Sequence, residues 1–246
     1  MINNPLSYLF FSLCSTFFTA TAQENLSVKK IEYQQVCSFY AGQNFTSALY
    51  VYNEGAFYTF KYDESAVSDE PEHSVIIDNS ERHIRYDLKS DSIYELSAMR
   101  SINPSGILIG EKRKQIEWNH VDSNQVIDGH ACKFAIGDFR GRQYHAWYDP
   151  NIKINLGPWK LHGVPGAIVY AEDTTGELYF HAIKFNTLKG ISAEQFVKRP
   201  VLPIVGRLKY RAMREAIYDN ILNIKPKSDS KVTYHITIKK NYFEFE

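Results

Sequence analysis

A chain of 246 residues is long enough to bury a sizeable core in one domain or at most two small ones. Its 28 Lys and Arg balance 28 Asp and Glu, which excludes a globally basic nucleic-acid binder, and 44% hydrophobic residues exclude a disordered chain. The 17 Tyr and 15 Phe suit a pleated, half-buried surface and point to a β-rich domain.

The first charged residue is Glu24, and residues 6–18 before it form an apolar run that includes Leu9, Phe10, Phe11, Leu13, Phe17 and Phe18. That run is shorter than the ~20 residues a membrane-spanning helix needs. Ala20-Thr21-Ala22 then offers small residues where a signal peptidase reads them. Residues 1–22 are therefore expected to be a signal peptide, and 23–246 a single exported β-rich domain without a transmembrane segment. Cys14 leaves with the peptide. Export makes a disulfide between Cys37 and Cys132 an expectation, with two separate buried thiols as the alternative.

Strands are predicted at 30–38, 46–52, 56–62, 74–77, 83–88, 92–98, 107–111 and 115–118. Turn signals such as Asn53-Glu54-Gly55 and Asn103-Pro104-Ser105-Gly106 separate them at the spacing of an antiparallel sheet. Two more, at 131–137 and 143–148, flank the turn Asp138-Phe139-Arg140-Gly141. Alternation places Cys132, Phe134 and Ile136 on one face of the first, and Tyr144, Ala146 and Tyr148 on one face of the second. Strands at 167–171 and 177–188 flank Asp173-Thr174-Thr175-Gly176. After Pro200 and Pro203, Tyr210, Met213, Ile217, Ile221 and Ile224 form the stripe of an amphipathic helix that starts near Gly206 and ends at Asn223 and Pro226. A last strand is predicted at 231–245. The fold class is mainly β, of the β-rich α+β kind: a curved antiparallel sheet or half-barrel with one C-terminal amphipathic helix packed on it.

Lys198, Arg199, Arg207, Lys209, Arg211 and Arg214 follow one another with no acid among them. Such a run reads either as a surface for anionic lipid or an acidic partner, or as a solvated loop and helix face.

No nucleophile elbow, zinc-protease, C-x-x-C or phosphate-loop pattern is present, so no cofactor is expected. His130 and Cys132 share a strand face, but a metal site would need two more ligands, which only folding could supply from His145, His162 or His181, so none is expected. Asp149 reads either as an acid paired with His145 or as a turn residue that accepts backbone N–H bonds ahead of Pro150 and Asn151. Trp118, Trp147 and Trp159 read as core. The strongest local signal is the loop 156–168. There Gly157-Pro158 and Pro165-Gly166 are expected to turn, with glycine supplying positive φ, while Trp159, Leu161 and Val164 are packed away from water.

Gly163, Val164, Pro165, Gly166, Ala167 and Ile168 resemble the G-L-P-G-L-I signature of the GLPGLI family. Trp118 followed by Ile127, Gly129, Cys132 and Ala135 is similar to that family's upstream segment. So are Gly141, Arg142, Tyr144, Ala146, Trp147 and Tyr148, and the Gly157-Pro158 turn. Val164 and Ala167 stand where the family has Leu. The resemblance implies an exported protein of a Gram-negative envelope, periplasmic or associated with the outer membrane, with a TonB-dependent type receptor as a possible partner. It carries no catalytic residues. The expected function is a non-enzymatic binding or interaction module for an apolar ligand or an outer-membrane protein, without a nucleic-acid role. The alternative is a hydrolase built from His145, Asp149 and His162.

Overall fold

The computed structural model describes residues 25–38, 43–62, 82–97, 105–192 and 200–222. The signal segment, the strands expected at 74–77 and 231–245, and the helix-ending Asn223 and Pro226 lie outside these. The described residues form twelve strands: β1 Asn25–Cys37, β2 Gln43–Tyr52, β3 Gly55–Tyr62, β4 Arg82–Asp87, β5 Ser92–Ser97, β6 Ile107–Lys112, β7 Trp118–Ile127, β8 His130–Phe139, β9 Arg142–Asp149, β10 Ala167–Asp173, β11 Leu178–Ser192 and β12 Ile204–Gly206. Among them a helix, α1, spans Arg207–Leu222. It is not long and apolar enough to cross a membrane.

The strands form one 12-stranded sheet in the order β12-β6-β5-β4-β3-β2-β1-β11-β10-β9-β8-β7. It consists of two antiparallel meanders, β1 to β6 and β7 to β11, joined where β1 pairs with β11. Among the described strands only β12 runs parallel to its neighbour, β6. Ten strand spacings separate β6 from β7 in this order, which would be about 48 Å in a flat sheet. Residues 113–117 alone connect them, and such a link reaches at most about 20 Å. The sheet must curl to bring its ends together.

Short-range chemistry sets the hairpins. Arg140 (φ 56°) and Gly141 (φ 77°) make the β8–β9 turn, and Asp128 (φ 48°) and Gly129 (φ 83°) make the β7–β8 turn. These successive positive φ values match the right-handed twist of the strands they join. At the β10–β11 turn, Asp173 Oδ1 accepts the Leu178 N–H at 2.9 Å, and its other oxygen takes the buried Arg142 guanidinium. Strand alternation then puts Ile31, Tyr33, Leu49, Tyr58, Phe60, Ile84, Tyr86, Ile93, Tyr144, Ala146 and Phe180 on the concave side, where they form the main core.

Two expectations are corrected. Residues 115–117 are not strand; the strand starts at Trp118 and continues to Ile127. Its exposed, largely polar sequence at the sheet edge hides the period that marks a half-buried strand. Cys37 and Cys132 are both buried and form no disulfide with each other. Cys37 belongs to the main core on β1, four strand spacings from β8, and Cys132 lies outside that core. A bridge requires Cα atoms within about 7 Å. The expected outcome of non-reducing mass mapping is therefore two separately alkylated thiols, reactive only once the chain is unfolded; a Cys37–Cys132 cross-linked peptide would contradict this arrangement.

Candidate functional site

Residues 150–166, between β9 and β10, enter the hollow of the curled sheet. Ile154, Leu156, Trp159, Leu161 and Val164 are all buried in the main core. The loop closes on itself: Leu156 bridges to His162, Gly157 N–H donates to the Leu161 carbonyl at 2.8 Å, and Leu161 N–H donates to the Pro158 carbonyl at 3.0 Å. Side chains from the sheet hydrogen-bond to further carbonyls of the loop and of the start of β10. Tyr86 OH donates to the carbonyl of Trp159, Trp118 Nε1 to that of His162 at 2.8 Å, and Tyr33 OH to that of Ile168 at 3.1 Å.

The glycines of the signature serve a different purpose from the expected one. Neither Gly157 nor Gly166 has positive φ; that role falls to Gly163 (φ 98°) and, unusually for a bulky residue, to Trp159 (φ 51°). A Cβ on Gly166 would lie 2.7 Å from the carbonyl carbon of Asp149 and 2.8 Å from Pro150 Cα, and one on Gly157 would lie 2.5 Å from Ile168 Cδ1. These glycines allow backbone to pass against backbone and against packed side chain. The positive φ of Trp159 turns its ring onto Phe139 and Tyr144, with centroids at 5.7 and 6.3 Å, and sends the next residue, Lys160, inward.

Lys160 is completely buried, a position the sequence did not single out. Its Nζ lies 2.8 Å from Glu95 Oε2 on β5 and 2.9 Å from Glu111 Oε1 on β6. Arg140, from the β8–β9 turn, pairs with the other Glu111 oxygen. Burial works against a charged Glu111, but Lys160, by attraction and hydrogen bond, and then Arg140 and Arg207 outweigh it. The net pKa is lowered from its ordinary 4.5.

The structure does not join the proposed hydrolytic trio by any hydrogen bond. His145 packs edge-on against Phe134. Asp149 accepts the Asn151 N–H at 2.9 Å, as a turn residue does, and its other oxygen lies 3.0 Å from His130 Nδ1. His162 Nδ1 donates to the Lys160 carbonyl at 2.9 Å. Among the described residues no three His, Cys, Asp or Glu side chains gather as a metal site would require. Trp159 is core as expected, Trp118 packs against that core, and Trp147 instead lies tilted against Phe134, with ring centroids 4.7 Å apart.

Among the described residues an apolar opening lies on the outer face of β3 to β6. A cleft of about 250 Å³ is lined there by Phe57, His83, Arg85, Tyr94, Leu96, Leu108 and Pro200. Its lining side chains on β3 and β4 alternate with the core residues Tyr58, Ile84 and Tyr86 along the same strands. Arg85 lies 5.0 Å over the Phe57 ring, and the His83 ring 5.1 Å from it.

No protein-family profile and no curated protein matches this sequence. Among solved structures, PNGF-II in its C2 crystal form is similar, with a TM-score of 0.51 at 14% identity over 76% of this chain and 32% of that one. The P21 form gives 0.50 at 14% identity over 76% and 33%. At this identity the likeness is one of fold, and this chain spans about a third of those chains' length.

Gly166→Ala should destabilise the protein by at least about 2 kcal/mol in denaturant unfolding, because the added methyl meets backbone that cannot yield. An unchanged midpoint would place the loop elsewhere. Acid should act in two stages. Burial, the largest cause, lowers the His162 pKa from 6.5, so the unfolded chain takes up that proton first. The contribution of neutral His162 is complete above pH 6.5 and is lost as pH falls through its folded value. The Glu111 contribution holds above pH 4.5 and is lost as pH falls through its own lowered value. In unfolding free energy measured against pH, His162→Gln should abolish the first decline and keep the second.

Proposed function

We propose that this chain is an exported, envelope-associated, non-enzymatic binding module that holds an apolar ligand in the outer-face cleft. The observation carrying this reading is the cleft itself: apolar walls of Phe57, Tyr94, Leu96 and Leu108, rimmed by the polar His83 and Arg85. An apolar pocket with a few oriented polar groups is the usual form of a small-molecule site. Its volume of about 250 Å³ is below the ~300–1,000 Å³ of sites for drug-sized ligands, so it suits a ring or short chain and not a whole lipid. A lipid carried in the concave hollow, as in half-barrel carriers, is disfavoured by Trp159, Leu161 and Val164, which already occupy that space. Support for export comes from Ala20-Thr21-Ala22 after an uncharged apolar run. The resemblance to the GLPGLI family adds an outer-membrane receptor as the expected partner. The hydrolase alternative lacks any hydrogen bond among His145, Asp149 and His162.

The test uses N-phenyl-1-naphthylamine, an uncharged fluorescent probe. The wild-type protein should bind it saturably at one site. Leu96→Trp, which fills the cleft from a half-buried position, should weaken binding by about tenfold or more while the melting temperature is kept. Equal binding by both proteins would overturn the assignment.

A further inference from the structure

A second opening lies at the sheet edge, where the ends of β6 and β12, the β8–β9 turn and the first turn of α1 meet in an open cleft of about 580 Å³. Its charged lining comprises Lys112, Lys114, Arg140, Arg207 and Lys209, with Glu111 as the one acid among the described lining residues. Glu111 is already committed: Oε1 to the buried Lys160 at 2.9 Å, and Oε2 to Arg140, with Arg207 Nε at 3.8 Å. Glu111 is thus shared among three cations, of which Lys160 also pairs with Glu95 at 2.8 Å.

Further observations on the same cleft concern Arg140, Arg207 and the start of α1. Arg140 Nε is buried and has no hydrogen-bond partner among the described residues. Burial first, and then the like charge of Arg140, hold the Arg207 pKa down to about 10. The first turn of α1 carries no acidic residue. Gly206 offers no capping side chain, and a Cβ there would meet open space.

We propose that this cleft binds a phosphate group, carried either by a lipid headgroup or by a small soluble phosphate compound. The chemistry favours phosphate over another carboxylate. A phosphate monoester brings roughly 1.5 to 2 negative charges and three acceptor oxygens. It can therefore face the planar forks of Arg140 and Arg207 and the exposed Lys112 and Lys209 together.

The test is calorimetric titration of the exported chain with inorganic pyrophosphate at low ionic strength, with glutamate as the carboxylate comparison. Saturable pyrophosphate binding at least about tenfold tighter than glutamate is expected, and it should weaken by about tenfold or more in the double variant Lys112→Gln/Lys209→Gln. Both substituted side chains are exposed, so the melting curve of the double variant should match the wild type and exclude misfolding as the cause. Absence of saturable pyrophosphate binding, equal affinity for glutamate, or unchanged affinity in the double variant would overturn the proposal. Vesicles of phosphatidylglycerol in phosphatidylcholine then identify the source. Retention that pyrophosphate displaces assigns a lipid headgroup, and pyrophosphate binding without such retention assigns a soluble compound.

Discussion

Residues 113–117 tie the end of β6 to the start of β7, the far ends of the two meanders, across a gap far smaller than a flat sheet would leave. The curl of the sheet follows from that tether, and so does the problem it creates. A curled sheet encloses a concave apolar face that must be covered. With the described helix packed at the β5, β6 and β12 edge, the cover comes from the chain's own loop 150–166. Glu111 stands one residue before the end of β6, so the same edge that starts the tether supplies the anion that receives Lys160. Tether, loop and ion cluster thus form one mechanical unit. Removal of Lys160 would leave a buried Glu111 with less compensation, and loss of one partner of a buried pair costs about 3–5 kcal/mol.

The loop shows how one sequence signature can serve two physical needs. Pro158 and Pro165 fix local φ, but their glycine neighbours are present for clearance: Gly166 lets β10 leave directly over the Asp149–Pro150 backbone, and Gly157 makes room for Ile168. The positive φ expected of them is moved to Gly163 and Trp159. For Trp159 that conformation costs of order 1–3 kcal/mol, and it persists because ring packing on Phe139 and Tyr144 and the Tyr86 hydrogen bond oppose its relaxation.

The hairpins and the helix were legible in the sequence because period and turn chemistry are local. The stripe through Tyr210, Met213 and Ile217 places α1 within a residue of its start near Gly206. Arg140-Gly141 marks its turn, and Asp128-Gly129 carries the same kind of signal for the β7–β8 hairpin, although the polar strand before it conceals the pair. What no local pattern carries is the pairing of β1 with β11 and the burial of Lys160, both set by contacts between distant segments. A lysine between Trp159 and Leu161 reads as a solvated charge until Glu95 and Glu111 are brought to it from another meander. The disulfide expectation failed for the same reason: compartment and an even count of cysteines say nothing about how many strands lie between Cys37 and Cys132.

The arrangement inverts the usual economy of a half-barrel, in which the hollow receives the ligand and the outside faces water. Here the hollow is filled by Trp159, Leu161 and Val164, and the described residues form an apolar cleft on the outer face and a basic cleft at the edge. Leu108 lines the first and Glu111 the second, three residues apart on β6 and on opposite faces of it. A strand this short is a stiff connection between them, and Glu111 at its end is held by the loop through Lys160. A ligand that drew Arg140 or Arg207 away from Glu111 would therefore act on the same strand that walls the apolar cleft, which gives the two openings a physical route to influence each other without any movement of the packed hollow.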